Sequence, residues 1–172
     1  HISILDNDKI IDTYSQSFGI RTIHYSVKGF FLNGRKLDLN GGCVHHDNGI
    51  LGAAAFDRAE FRKVQMMKSA GFNALRTSHN LPSEAFLEAC DRLGMLVIDE
   101  AFDGWREAKT PHDYASLFDK YWQQDIEGMV LRDLNHPSII AWSIGNEVIE
   151  RKKIEVVTTA HKLASKIREY DN

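Results

Sequence analysis

Cysteine is scarce in this chain. It holds two, Cys43 and Cys90, too few for a disulfide framework and without the CxxC spacing of a structural zinc site. Both fall in apolar stretches, so buried free thiols are expected. Long apolar runs are missing as well: nothing approaches the about 18 uninterrupted apolar residues of a membrane span, and the first residues lack the basic-then-apolar order of a secretory signal. The initiator Met is also absent, so a chain starting at His1 is expected to be processed or cut from something longer, and the compartment stays open. A formal charge of -3 without long like-charge runs makes no electrostatic case for nucleic acid or an anionic membrane surface, and neither partner is expected. A fixed repeat period and Ser/Pro-rich linkers are lacking too, which argues against a solenoid. What is present is 172 residues, 43% hydrophobic and 26% charged, the composition of a soluble globular domain long enough for a sizeable core.

Ile20 to Tyr25 alternates weakly and suits a strand. Phe30-Phe31-Leu32, Asn33-Gly34 and Arg35-Lys36-Leu37 predict a hairpin, since Asn-Gly accepts the positive φ angles of a type I′ turn. The period then changes. An apolar strand around Leu37 to Val44 precedes a helix with Phe61, Val64 and Met67 three apart, ended by Gly71. Phe72 to Thr77 predicts a second strand, followed by a helix with Pro82 in its first turn, Phe86, Cys90 and Leu93 on one face, and Gly94 at its end. Met95 to Asp99 is a third strand. A long helix carries Tyr114, Leu117, Phe118, Tyr121, Trp122, Met129 and Val130 at core spacing until Asn135-His136-Pro137 blocks it. Ile139 to Ile144 is the fourth strand, and Val156, Ala160, Leu163 and Ile167 mark the fourth helix.

Four strand-then-helix units imply a parallel α/β sheet with right-handed crossovers. An open doubly wound sheet and a closed or partial (β/α)8 barrel both meet that order. Asn48-Gly49-Ile50-Leu51-Gly52 lacks the GxGxxG order of a dinucleotide-binding loop. Instead, every strand ends in polar residues: His45-His46-Asp47, Ser78-His79-Asn80, Asp99-Glu100 and Asn146-Glu147. In a barrel these ends converge on one mouth, whereas an open sheet uses only those at its switch point, so the barrel is favoured. A metal-dependent hydrolase fits less well. It wants HxH on a strand to put both rings on one face, but His45 and His46 are adjacent and point to opposite faces, so no metal site is expected.

The run Arg132-Asp133-Leu134-Asn135-His136-Pro137-Ser138-Ile139-Ile140-Ala141-Trp142-Ser143-Ile144-Gly145-Asn146-Glu147 resembles the signature of glycoside hydrolase family 2, which includes β-galactosidases and β-glucuronidases. Three more segments fit in order: Phe18-Gly19-Ile20-Arg21 with Leu32-Asn33-Gly34, Phe72 to Pro82, and Asp99-Glu100-Ala101-Phe102-Asp103. Leu134 departs, standing where many members carry a second Arg, and a changed structural contact is the expected consequence. The resemblance covers the chain from about Phe18 onward; Cys43-Val44-His45-His46-Asp47 and Asp103-Gly104-Trp105 are most like bacterial β-galactosidase-like members.

The resemblance implies a retaining exo-β-glycosidase, β-galactosidase-like, with β-glucuronidase or β-mannosidase specificity, or a non-catalytic carbohydrate-binding fragment, as alternatives. It implies residues 1–25 as the trailing strand or linker of a preceding β-sandwich domain, and 26–172 as the first four βα units of a TIM barrel, about half of it, entered through the hairpin. Glu147 falls on the family's general acid/base and Asn146 on the residue that bonds the sugar's 2-hydroxyl. Arg76 falls on an arginine that steadies the nucleophile; a buried structural ion pair is its other reading. His46, Asp47 and His79 match mouth residues that contact sugar, and Trp105 or Trp142 would supply a stacking face. The family nucleophile is a second Glu at the end of strand seven, past Asn172, so the chain alone is expected to be inactive. Glu100 is the other strand-end acid with an inward aim. Unpaired edges of a half-barrel are expected to drive self-association, and the full enzyme is expected to be a homo-oligomer. The implied partner is a β-galactoside or related β-glycoside, met in the cytoplasm, the periplasm or outside a bacterium. No cofactor is required, although the full-length enzyme has room for a divalent or monovalent cation.

The chemistry explains why carboxyls are needed. Cleavage of a glycosidic bond takes an acid for the leaving oxygen and a carboxylate for the oxocarbenium-like carbon, about 5–5.5 Å apart on the retaining route. The acid must keep its proton near neutral pH, and burial beside a second carboxylate raises a pKa for that task.

Overall fold

The structure, a computed structural model, describes residues 1–171; Asn172, the last residue of the anticipated 26–172 unit, lies outside the described residues. The chain opens on a hairpin of β1 (Ile2–Asp6) and β2 (Lys9–Tyr14), turned through Asn7 and Asp8 at φ 47° and 64°. The expectation for residues 1–25 is a single trailing strand or a linker. The hairpin goes unmarked because the adjacent pairs Ile4-Leu5 and Ile10-Ile11 break the apolar/polar alternation that signals a strand.

A second sheet pairs β3 (Ile23–Ser26), β4 (Gly29–Leu32) and β5 (Arg35–Leu37) antiparallel. The anticipated strand at Ile20 to Tyr25 thus begins three residues later and ends one later, and β3 runs across the 25/26 division. Asn33 and Gly34 take φ of 51° and 76°, the pair of left-handed residues that the Asn-Gly turn required.

Four parallel strands follow, β6 (Gly41–His45), β7 (Ala74–Ser78), β8 (Leu96–Glu100) and β9 (Ile139–Ser143), hydrogen-bonded in that spatial order. Between and after them run α1 (Asp57–Ser69), α2 (Glu84–Leu93), α3 (Ala115–Asp133) and α4 (Glu155–Ile167). Each strand pairs with the one before it, as in consecutive barrel staves; a doubly wound sheet would reverse order at a switch point. Pro82 is not inside the helical turn as expected. It sits just ahead of the N-cap Ser83, whose hydroxyl accepts from the Phe86 amide at 3.2 Å, so capping rather than proline sets the start of α2. Gly94 ends the same helix in the left-handed conformation, φ 66°.

Strand alternation sorts the side chains. Leu75 and Val97 pack with Val64, Phe86, Leu87 and Cys90 of the helices, forming one core. A second core joins Phe102, Trp105, Phe118, Ile126, Met129, Leu163 and Ile167. The third closes the bottom of the sheet: Phe30 from the β3–β5 sheet packs on Ala74, Leu96 and Ile140 at the strands' N-terminal ends. Tyr25 Oη adds a bond to the Ile140 carbonyl at 2.7 Å. With the bottom plugged, the opposite, C-terminal end is where polar side chains gather. Among the described residues, no helix is long and apolar enough to cross a membrane.

Candidate active site

Parallel register puts Cys43 beside Arg76, Arg76 beside Ile98, and Glu100 beside Ser143, and these residues share the face of the sheet away from α1 and α2. Glu100 is the hub, with 0% of its surface exposed. Its Oε2 accepts from Arg76 Nε at 2.8 Å, Arg76 Nη2 at 2.6 Å and Ser143 Oγ at 2.6 Å; its Oε1 accepts from His79 Nδ1 at 2.7 Å. Such a carboxylate has its lone pairs spent on structure, which removes Glu100 as a stand-in nucleophile. Burial works against the Arg76 charge, but the bond to Glu100 and its charge outweigh it, and the guanidinium stays above its ordinary pKa. The ion-pair reading of Arg76 describes this geometry, and the same guanidinium also reaches Asn146 after β9.

Arg76 Nη2 donates to Asn146 Oδ1 at 2.9 Å, and Asn146 Nδ2 donates to Asp103 Oδ1 at 2.9 Å. The Asn146 amide N–H bonds the Phe102 carbonyl at 3.1 Å. The side chain keeps one amide hydrogen and one oxygen lone pair for an incoming hydroxyl. Glu147 follows with its side chain exposed and its backbone at φ 40°, and the helical turn after it begins only at Ile149.

The other anticipated residues divide. His79 joins the cluster through Glu100, and its ring meets that of His45 edge-on at 5.3 Å. His46 turns instead to the Asn80 carbonyl, Nε2 to O 2.9 Å, and Asp47 accepts from the Gly49 amide at 2.7 Å. The adjacent histidines diverge, as strand alternation requires, and it is His45 that lies against the Glu100 cluster. Trp105 is a correction. It is 4% exposed, donates its indole N–H to the Ile144 carbonyl at 2.8 Å and stacks on Phe118, so it has no open face for a sugar. Trp142 spends its indole N–H on Asp171, at 2.6 Å. Cys43 corrects a second expectation: it is exposed, on the sheet face it shares with Arg76, whose Nη1 approaches its sulfur at 3.8 Å. Cys90 is buried as expected, and burial pushes its thiol well above the usual range. Among the described residues no group of three or more His, Cys, Asp or Glu is arranged to hold a metal.

Ser143, Asp103 and Lys109 were missed as site residues. Ser143 was recoverable, since period-two alternation from Ala141 puts it on the face of Glu100. Lys109 lies in an aperiodic loop and carries no such signal.

On the helix side of β8 a second acid is buried. Asp99 accepts from Thr77 Oγ1 at 3.2 Å, its Oδ2 lacks a partner among the described residues, and Asp133, paired with Arg132, stands beside it. Burial first, then the charge of Asp133, raises Asp99 to about 8. An unfolded Asp releases its proton near 3.8, so the folded chain holds one proton more between 3.8 and about 8, and this group makes stability fall as pH rises through that window. Asp99→Asn keeps a donor toward Asp133 and is expected to remove this group's share of the slope, leaving the variant more stable at pH 8 by on the order of 1–3 kcal/mol. Urea unfolding at pH 5 and pH 8 checks this; a variant that keeps the native pH dependence contradicts it.

The family model for the TIM barrel domain of glycosyl hydrolases family 2 matches residues 23–171. The β-galactosidase BoGH2A of Bacteroides ovatus is 49% identical over 149 residues, covering 86% of this chain and 18% of that protein. A putative β-glucuronidase of Formosa agariphila is 44% identical over 146 residues, 84% of this chain and 14% of its own length. The crystal structure of a family 2 member from Bacteroides cellulosilyticus superposes with a TM-score of 0.94 at 55% identity, over 99% of this chain and 22% of that one. The chain thus spans about a fifth of the length of these relatives. Four consecutive staves with polar C-terminal ends, together with these matches, place the chain in glycosyl hydrolase family 2, as part of its TIM barrel domain.

Proposed function

We propose that this chain supplies the acid/base half of a retaining exo-β-glycosidase site acting on β-galactosides. Glu147 gives its proton to the glycosidic oxygen as the bond to the anomeric carbon breaks. A carboxylate from outside residues 1–172 takes that carbon, and Glu147 then accepts a proton from the water that releases the sugar. Asn146 turns its remaining amide hydrogen or lone pair to the sugar's 2-hydroxyl. The observation that carries this reading is the pinning of Asn146 between Arg76 and Asp103 beside an exposed Glu147. His46, Asp47 and His79 belong to the rim of the same mouth in this proposal.

A neutral sugar is favoured over a uronate by what the cations already do. Arg76 and His79 are taken by Glu100, Lys63 by Glu60 and Lys109 by Asp103, so each is committed to a carboxylate within the chain. The likeness to a putative β-glucuronidase keeps a glucuronide as the second reading. Aryl β-galactoside, β-glucuronide and β-mannoside, offered to the longer protein that completes the barrel, decide between them. The galactoside is expected to give the highest kcat/KM; a glucuronide maximum overturns the sugar assignment, and no turnover of any overturns the glycosidase. The isolated 172-residue chain is expected to turn over none. The open edges of β6 and β9 support its self-association, read by sedimentation of the same preparation.

A further inference from the structure

The loop between β8 and α3 holds the strand end that bears Glu147. Besides the Trp105 bond to the Ile144 carbonyl and the Phe102 bond to the Asn146 amide, Lys109 closes the set. Its Nζ donates to the Asn146 carbonyl at 2.8 Å, to Asp103 Oδ1 at 2.7 Å and to the Asp103 carbonyl at 2.8 Å. An ammonium has three hydrogens, and all three are used.

We propose that Lys109 is a positioning residue for acid/base catalysis: by gripping the Asn146 carbonyl it fixes the peptide from which the Glu147 side chain departs. This rests on the proposed role of Glu147. Three features support it. The backbone of Glu147 lies in the left-handed region, φ 40°, which a residue other than glycine keeps only where its surroundings hold it, and Lys109 grips the peptide immediately before. The ammonium is itself held, with 20% of its side chain exposed and Asp103 supplying two of its three acceptors. The loop that presents it is stiff: Asp113 accepts from the Lys109, Thr110 and Ala115 amides at 2.7, 3.3 and 3.0 Å. Glu150 ties it from the other side by accepting from the Arg106 and Glu107 amides at 2.6 and 2.7 Å. Proton transfer needs the carboxyl within hydrogen-bond reach of the leaving oxygen, so a peptide free to rotate there weakens the proton-donating step more than it weakens the Asn146 contact to the sugar.

The test uses the longer protein and two β-galactosides, one with a poor alkyl leaving group and one with a dinitrophenolate that departs without protonation. Lys109→Met is expected to lower kcat/KM about 10- to 100-fold for the first and less than about 3-fold for the second. Lys109→Gln, which retains amide donors, is expected to show the same signature in smaller measure and serves if the Met variant misfolds. Equal losses on both substrates, or loss on neither, overturn the proposal. Glu147→Gln run in parallel separates the two levels. If it also lacks leaving-group dependence, the acid/base reading fails; if it alone shows it, only the role of Lys109 fails.

Discussion

Glu147→Gln in the completed enzyme is expected to lower kcat/KM for an alkyl β-galactoside by about 10²–10⁴-fold, the usual worth of a general acid in the transition state. The amide has nearly the same shape, and the side chain it replaces is exposed, so stability should stay within about 0.5 kcal/mol of the parent. A dinitrophenyl galactoside should keep most of its kcat/KM, since its leaving group needs no proton. Its kcat should fall instead, because water attacking the glycosyl intermediate loses its base, and added azide, which needs none, should restore it. Steady-state kinetics with and without azide reads all three. A uniform loss on both substrates, or no response to azide, would remove Glu147 from the acid/base position.

Arg76→Met carries the largest expected effect on stability. The substitution keeps most of the side chain's length but strips two charged donors from a carboxylate that is 0% exposed. Breaking a buried pair from one side costs about 3–5 kcal/mol, because the abandoned charge stays desolvated. Here the lower end is expected, since 29% of the Arg76 side chain faces solvent and His79 and Ser143 still serve Glu100. Adding Glu100→Gln should recover part of the loss, as the remaining group is then neutral. A double-mutant cycle by urea unfolding measures this coupling, and strictly additive losses would show that the two residues act independently. Asn146 loses its Arg76 donor in the same variant, so activity is expected to fall beyond what reduced stability explains.

The outcome at Trp105 shows why some residues were legible and others misplaced. An aromatic in the loop after a barrel strand suits a sugar platform on sequence grounds alone. The indole is instead drawn inward because the Ile144 carbonyl offers its N–H a buried partner and Phe118 offers its ring a face. A tryptophan's two possible homes differ only in what stands three dimensions away, and no local pattern records that. The same holds for Cys43, whose apolar surroundings in the chain are not its surroundings on the sheet, and for Lys109, which meets Asn146 37 residues on.

Composition, the shift from hairpin to strand-helix periodicity, and the polar punctuation of every strand determined the α/β architecture, and the run from Arg132 to Glu147 determined the family. These signals are local, set by side-chain period and turn chemistry, so the chain carries them wherever it lies. Only the tertiary structure decided that Glu100 is a buried anchor, that His45 rather than His46 packs on the His79 ring beside it, and that Asn146 is held by Arg76 of β7 and Asp103 of the loop after β8. Those facts depend on which polar atoms meet across neighbouring strands, where burial makes each unpaired donor or charge costly and so selects one arrangement.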